Sequence, residues 1–199
     1  MPRALTEREK CAQCQKLLEK GKGIVLSRGI KNVSIDDIAK AAQIAKGTFY
    51  QHFDSKEKYL CALIEKIHNE LFSQAEQIIF SGIPGGDSLR ANARGFLQKL
   101  FYMPEMAFFI QNERDIAALL ETVPNQELQS FKHMEASLFE GILRLGGIDT
   151  AKVKPGIVHN YVHTLFLMMG SDLMAEGDLP ETVDLITDSL ISYIFDGAS

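Results

Sequence analysis

The segment that most constrains this chain is 34–53, whose sequence is SIDDIAKAAQIAKGTFYQHF. Its first half has apolar residues at the i, i+3, i+4, i+7 spacing of one helical face, namely Ile35, Ile38, Ala39 and Ala42. Ser34 and Asp37 have the spacing of a capping box, which predicts that this helix begins just after Ser34. A break near Gln43 follows, so the segment predicts two short helices joined by a tight turn.

The second helix is predicted from about Ala45 to Phe53, with Phe49 and Phe53 pointing inward together because they are four residues apart. The other faces carry one cation, several neutral hydrogen-bonding groups and no carboxylate, which suits a phosphate-rich partner. Gly47 costs roughly 1 kcal/mol relative to Ala inside a helix. Close approach of the backbone to DNA would explain why it is there.

Several short motifs occur in a fixed order here: Ile38-Ala39, Ala42-Gln43-Ile44, Lys46-Gly47-Thr48, Tyr50, His52-Phe53 and Ser55-Lys56-Glu57. In order and spacing they resemble the DNA-binding domain of the TetR family, over about the first 60 residues. The resemblance implies an all-helical, homodimeric transcriptional regulator. It further implies a repressor that a small ligand releases from a palindromic operator.

The resemblance also assigns roles to individual residues. Phosphate contacts are expected from Lys46, Tyr50, His52 and Lys56. Base edges are expected to meet Ala45, Gly47, Thr48 and Gln51, since Gln pairs with adenine and the Thr methyl with thymine. Ser34 completes the set of candidate DNA-binding residues. Gln43 stands where the family commonly has Gly, and a left-handed conformation there would cost roughly 1–2 kcal/mol.

Charge is distributed unevenly along the 199 residues. The first 60 residues hold 12 Lys and Arg against 7 Asp and Glu, a net charge of +5. The others carry −10, which gives the chain its formal net charge of −5. This asymmetry places the nucleic-acid contact at the N-terminal end. No targeting segment or membrane span is evident, so a cytoplasmic location is expected.

The remainder of the chain is predicted to be helical throughout, so the fold class is all-α. We expect a three-helix, helix-turn-helix DNA-binding domain over residues 1–54, braced by a helix from Thr6 to Gly29. Thr6 and Glu9 have the spacing of a capping box at the start of that helix. A helical ligand-binding and dimerisation domain is expected over 55–199. One linking helix, from about Ser55 to Phe80, would join the two.

A small hydrophobic or amphipathic ligand is expected in the second domain, where Phe and Met are frequent. The candidate walls are Phe72, Phe96, Leu100, Phe101, Met103, Phe108, Phe109, Met134, Leu138, Phe166 and Met169. Asn112, Arg114, His133, His159 and His163 are candidate polar anchors. Plain core packing is the alternative for each of these residues. Because His163 lies in an apolar run, it is expected to have a buried hydrogen-bonding partner.

The last two helices are expected to form the dimer interface. The first is predicted from about Thr150 to Glu176, and the second from near Asp178 and Pro180. Residues 161–169 are apolar on nearly every face, which is typical of a helix buried on all sides. Pairing with the same helices of a second copy would make a four-helix bundle. The candidate interface residues are Val162, Phe166, Met169, Leu173, Val183, Ile186, Leu190 and Ile194.

Other classes of function have little support. No catalytic motif is present, so the protein is not expected to be an enzyme. No metal or cofactor site is predicted, because Cys11-x-x-Cys14 has no second pair or nearby His pair to complete a tetrahedral set. The main alternative is a constitutive or protein-partner-regulated DNA-binding protein that has no small-molecule inducer.

Overall fold

A computed structural model describes residues 6–81, 86–100, 102–170 and 176–197. These residues form α1 (Glu7–Arg28), α2 (Ile35–Ala42), α3 (Lys46–Phe49), α4 (Lys56–Ile79), α5 (Gly86–Leu100), α6 (Pro104–Gln111), α7 (Glu113–Glu121), α8 (Asn125–Leu145), α9 (Pro155–Met169) and α10 (Leu179–Asp196), with a 3₁₀ turn at Glu176–Asp178. No strand occurs among them, so the all-α prediction is confirmed. None of the helices in these ranges is both long and apolar enough to cross a membrane.

The chain divides into two compact units. The first holds the residues up to Ile67 together with Asn112–Val123, and so contains α1 to α3, the first half of α4, and α7. The second holds His68–Gln111 and the residues from Pro124 onward. The expected boundary at 54/55 marks the end of the helix-turn-helix, whereas the first compact unit continues further along α4.

Packing in the first unit centres on the helix-turn-helix. Helix α1 packs against α2, and α2 packs against α3. The fully buried side chains include Leu17, Val25, Ile38, Phe49 and Tyr59. The rings of Phe49, Phe53 and Tyr59 have centroids 5.2 to 5.7 Å apart, within the range of favourable aromatic pairs. The predicted inward direction of Phe49 and Phe53 is therefore confirmed.

Capping boxes begin both of the first two helices, as the sequence predicts. At α1, the Glu9 amide donates to Thr6 Oγ1 at 3.3 Å, and the Thr6 amide donates to the Glu9 carboxylate at 2.8 Å. At α2, the Asp37 amide donates to Ser34 Oγ at 3.1 Å, and the Ser34 amide donates to Asp37 Oδ2 at 3.0 Å. Hydrogen bonds from Ser34 hold the pKa of Asp37 below its usual value.

The turn between α2 and α3 depends on Gln43, which has φ 56° and ψ 45° and is left-handed. The following helix is shorter than predicted. Only Lys46–Phe49 is α-helical, and residues 50–52 form a turn with bonds such as His52 N to Phe49 O at 2.9 Å. Two features account for this: Ala45 offers no side-chain cap, and Gly47 weakens the short helix.

In the second unit, α10 packs against α5 and α9, while α8 and α6 also pack against α9. Three polar pairs join α5 to α10: Arg90 with Asp196, Arg94 with Asp188, and Gln98 with Asp184. Residue numbers rise along one helix as they fall along the other, so the two helices run antiparallel. Exposed ion pairs contribute only about 0–1 kcal/mol each, so these pairs mainly fix the register.

Helix α9 differs most from its prediction, which extended from about Thr150 to Glu176. It begins at Pro155. Proline has no backbone N–H, so it cannot donate the hydrogen bond to residue 151 that a helix starting near Thr150 would need at this position. Residues 149–153 form a turn instead, with the Val153 amide bonded to Asp149 O at 2.9 Å. The helix ends at Met169, and the residues 171–175 that the prediction included lie outside the described ranges.

Candidate functional site

In the recognition segment, residues 45–52, only the Phe49 side chain is buried, and the other residues lie at the surface of the first unit. Its exposed residues are Ala45, Lys46, Gly47, Tyr50 and Gln51, while Thr48 and His52 are half-buried. Tyr50 is 49% exposed, which is high for a large apolar ring. The segment contains no carboxylate, so its own side chains do not repel a polyanion.

Lys46 has an ion pair across the turn that the sequence did not indicate. Its Nζ lies 2.9 Å from Asp36 Oδ2 on α2, and this hydrogen bond raises the pKa of Lys46. Both side chains are largely exposed. An exposed pair of this kind is weak, so a phosphate group can replace Asp36 at little cost.

The other candidate DNA-binding side chains have specific contacts in the first unit. His52 Nε2 lies 3.2 Å from Gln13 Oε1 on α1. Lys56 Nζ donates to the Lys31 carbonyl at 3.4 Å. The Ser34 hydroxyl donates to Asp37 Oδ2 at 2.6 Å, so capping occupies it in the free protein.

Gly47 has no packing reason to be glycine. A Cβ atom added there would have no neighbour within 4 Å outside its own helix and chain neighbours. Gly21 and Gly29 of the same unit are different, because a Cβ would collide with Tyr59 and Asn112 respectively. The small size of Gly47 is therefore not required by the fold of the described chain.

The second unit contains a polar centre, the Glu135 cluster, which consists of Glu135, His68, His159 and His163. Glu135 is 8% exposed. Its Oε1 lies 3.1 Å from His163 Nε2 and 3.7 Å from His68 Nε2, and its Oε2 lies 3.3 Å from His159 Nε2. The expected partner of His163 is thus present, although the His163 side chain itself is 46% exposed.

Burial by itself would raise the pKa of Glu135. The hydrogen bond with His163, the charges of His68 and His163, and the hydrogen bond with His159 act in the opposite direction and lower that pKa to about 2. Glu135 is therefore an ionised carboxylate inside the second unit at neutral pH.

Aromatic rings surround the Glu135 cluster. Phe139 contacts Phe72 and His159, with centroid distances of 4.9 and 5.4 Å. Phe109 lies 4.8 Å from His68, and Phe166 lies 6.2 Å from His163. The structure thus brings five of the predicted ligand-site residues around one centre, namely Phe72, Phe109, His159, His163 and Phe166. Glu135 and His68 were missed because they approach α9 from distant parts of the chain.

The remaining predicted ligand residues are distributed more widely. Phe96, Leu100 and Phe108 are buried in the core of the second unit, and Met103, Met134 and Leu138 are half-buried there. Asn112 belongs to the first unit, where its Oδ1 accepts a hydrogen bond from the Ile30 amide at 3.4 Å. Phe101 lies outside the described residues.

The predicted dimer residues also differ in their surroundings. Val183 and Leu190 are 4% and 0% exposed within a single chain. Val162, Phe166, Met169, Ile186 and Ile194 are half-buried, and Leu173 lies outside the described residues. The large apolar side chains that α9 and α10 expose are Ile157, Leu167 and Leu185, at 37%, 54% and 66%.

Cys11 and Cys14 lie on α1 as free thiols. Burial, and then the neighbouring Cys11, raise the pKa of Cys14, so this group has less reactive thiolate than an ordinary cysteine. Nothing in this arrangement favours a redox role.

A helix-turn-helix whose exposed recognition segment has no carboxylate, in the basic part of the chain, is typical of a DNA-binding domain. Residues 17–63 match the family model described as "Bacterial regulatory proteins, tetR family". Over these residues the chain is therefore a TetR-type helix-turn-helix DNA-binding domain.

Curated relatives agree with this assignment. The repressor KstR2 of Rhodococcus jostii is 28% identical over 106 residues, covering 49% of this chain and 52% of its own length. The chain therefore matches only about half of that relative. The regulator EthR of Mycobacterium tuberculosis is 25% identical over 186 residues, covering 75% of this chain and 85% of its own length.

Solved structures share the fold along most of the chain. One is FadR of Bacillus subtilis, a transcriptional regulator in complex with stearoyl-CoA. Its TM-score is 0.56 at 16% identity, with 93% of this chain and 99% of that chain covered. At this identity the likeness concerns the fold alone.

Proposed function

We propose that the protein is a repressor that binds a pseudo-palindromic operator as a homodimer. The recognition segment carries this proposal, because it is exposed, has no acid, and contains a glycine that the fold does not need. An open position at Gly47 leaves room for the backbone to approach a base edge or phosphate closely. KstR2, a curated relative, is a transcriptional repressor, which supports repression rather than activation.

The proposed division of labour follows from side-chain chemistry. Lys46, Tyr50, His52 and Lys56 would contact phosphates and thereby fix the register of the protein on the duplex. Thr48 and Gln51 would contact base edges and provide sequence preference. Formation of the complex would exchange the Asp36 partner of Lys46 for a phosphate, at the small cost expected of an exposed pair.

Dimerisation is proposed to use the exposed faces of α9 and α10. Ile157, Leu167 and Leu185 leave apolar surface in water within one chain, and burial against a second copy would recover it. Val183 and Leu190 would support these helices from inside the chain. Two recognition segments related by a two-fold axis would read half-sites about 34–36 Å apart, or a multiple of that distance.

Release by a small hydrophobic or amphipathic ligand is proposed for the second unit. FadR, which has this fold, forms a complex with stearoyl-CoA, and the aromatic rings around the Glu135 cluster of this chain provide apolar surface that an acyl chain could contact. Such a ligand would act by binding more tightly to the arrangement that does not bind the operator.

Selection of bound sequences from random duplex DNA tests the proposal directly. We expect a pseudo-palindrome, bound by two chains per duplex. Lys46→Ala should weaken binding to all sequences similarly and reduce the salt slope by about 1. Lys20→Ala, which removes an exposed cation of α1 outside the recognition segment, is the matched control. An unchanged salt slope for Lys46→Ala would refute its phosphate contact.

Ligand control is tested separately. A compound that acts as proposed should raise the thermal stability of the protein and weaken operator binding at the same concentration. If hydrophobic acyl compounds stabilise the protein yet leave operator affinity unchanged, the constitutive or partner-regulated alternative is favoured instead.

A further inference from the structure

The Glu135 cluster brings nitrogen and oxygen atoms from three helices to one point. His68 lies on α4, Glu135 on α8, and His159 and His163 on α9. One ligand atom from each of Glu135, His159 and His163 lies within 4.8 Å of the others. All three imidazoles point Nε2 at the carboxylate, so the lone pairs of several donors can converge on one position.

The separations from the Glu135 oxygens to His163 and His159 are close to those around a small metal ion, and one ligand atom of each residue lies within 4.8 Å of the others. A tetrahedral ion with bonds of about 2.0–2.1 Å holds its ligand atoms about 3.3 Å apart. The distances from Glu135 oxygens to His163 and His159 are 3.1 and 3.3 Å, and the distance to His68 is 3.7 Å. An ion could therefore be accommodated with small side-chain movements.

His159 and His163 have the spacing that binds a metal from one helix. Four residues apart on α9, their rings lie side by side with centroids 4.2 Å apart. Two histidines at i and i+4, completed by a carboxylate from another element, are an effective donor set for zinc. The spacing is visible in the sequence, but the third ligand comes from α8 and is visible only in the fold.

The chemistry of the donor atoms indicates which metal ions the cluster could bind. Two or three imidazoles and one ionised carboxylate suit borderline divalent ions such as Zn²⁺, Co²⁺ and Ni²⁺. Magnesium and calcium prefer sites made of oxygen ligands. An ionised carboxylate at the centre repels the anionic head group of a ligand at this point, whereas the surrounding rings can still contact an apolar chain.

Surrounding groups fit this assignment. His159 Nδ1 lies 3.4 Å from Asn160 Oδ1, which can orient the ring and leave Nε2 for the ion. Phe109 and Phe139 pack against His68 and His159 and exclude water on that side. His163 is 46% exposed, which provides a path for entry.

We propose that Glu135, His159 and His163 form a binding site for a divalent transition-metal ion of the zinc class, with His68 at the fourth position. The proposal concerns the second unit alone and does not depend on operator binding or on an apolar ligand.

The test uses the full chain, stripped of metal with a chelator. Titration with Zn²⁺ should show one ion bound per chain and a rise in thermal stability, and Mg²⁺ at the same concentration should do neither. Binding of Co²⁺ should give the intense visible absorption of a tetrahedral site. Absence of stoichiometric Zn²⁺ binding would overturn the proposal and leave a hydrogen-bonded structural cluster.

Substitutions locate the site. His163→Gln changes a half-exposed side chain and should weaken Zn²⁺ binding by about 100-fold or more, since loss of an outer-shell group alone costs 10- to 100-fold. Glu135→Gln should have a similar effect, with folding checked by circular dichroism. His133→Gln, the same substitution at an exposed residue of α8, is the control and should bind normally. Equal binding by His163→Gln and His133→Gln would place the ion elsewhere and refute the site.

Discussion

The phenolic oxygen of Tyr59 lies directly against Gly21, where it donates a hydrogen bond to the Leu17 carbonyl at 3.1 Å. A Cβ atom at Gly21 would stand 1.8 Å from this oxygen. Tyr59 is fully buried, and burial raises the pKa of its hydroxyl. Helices α1 and α4 can approach each other this closely only because position 21 has no side chain.

Gly21→Ala is therefore expected to destabilise the first unit. Overpacking of this kind costs about 1–3 kcal/mol, which outweighs a gain of about 1 kcal/mol in helix propensity when the clash involves a fully buried ring. Gly23→Ala on the same helix has open space at its Cβ and should stabilise instead. Urea unfolding measures the change in the free energy of unfolding for each variant. A change of the same sign in both variants would contradict this packing.

The Tyr59→Phe background tests the contact itself. It removes the oxygen, after which the nearest ring atom, Cζ, is 3.0 Å from the added Cβ. Gly21→Ala should therefore cost less free energy of unfolding in Tyr59→Phe than in the native chain. Strict additivity of the two changes would show that the residues do not interact.

Gln43→Gly should stabilise the protein by about 1 kcal/mol. Gln43 is exposed and left-handed, a conformation that costs a non-glycine residue roughly 1–2 kcal/mol. Glycine avoids this cost. Its greater backbone entropy in the unfolded chain cancels part of the resulting gain in stability. Gln43→Ala should bring no gain, since alanine meets the same restriction. Equal unfolding midpoints for all three proteins would mean that the turn is not strained.

What the sequence predicts well is local. The capping residues Thr6, Glu9, Ser34 and Asp37 act within three positions of one another, so their spacing alone determines the contact. The break near Gln43 is likewise predicted, and the structure shows that Gln43 takes the left-handed conformation there. In each case the partners are neighbours along the chain, and helix geometry fixes their distance.

What the sequence does not predict depends on distant approaches. Helix α7 belongs to the first unit through contacts such as that of Asn112 with the Ile30 amide, 82 positions away. Glu135 meets histidines that precede it by 67 positions and follow it by 24 and 28. An apolar pattern also cannot tell burial within a chain from burial against a second copy. Leu190 and Ile186 fit the same pattern, but Leu190 is fully buried within the chain and Ile186 is only half-buried.

Asp36→Asn is expected to tighten DNA binding by about 2- to 10-fold at low salt, because it releases Lys46 from its ion pair. The gain should shrink as salt rises and screens the exposed charges. Anisotropy titrations across a salt series measure it. Asp54→Asn removes the same charge from an exposed pair with Lys58 and serves as the control. A similar gain in both variants would trace the effect to net charge rather than to Lys46.

Leu185→Glu should separate self-association from folding. Leu185 is 66% exposed on α10, so a charge there costs the single chain little but would be buried unpaired in the proposed dimer. Sedimentation should show a dimer for the native protein and a monomer for this variant at micromolar concentration, with circular dichroism unchanged. Operator affinity should fall sharply, since each chain then brings only one recognition segment. Leu145→Glu, at a leucine that is 60% exposed at the end of α8, should remain dimeric. If Leu145→Glu dissociates and Leu185→Glu does not, the interface lies away from the exposed face of α10.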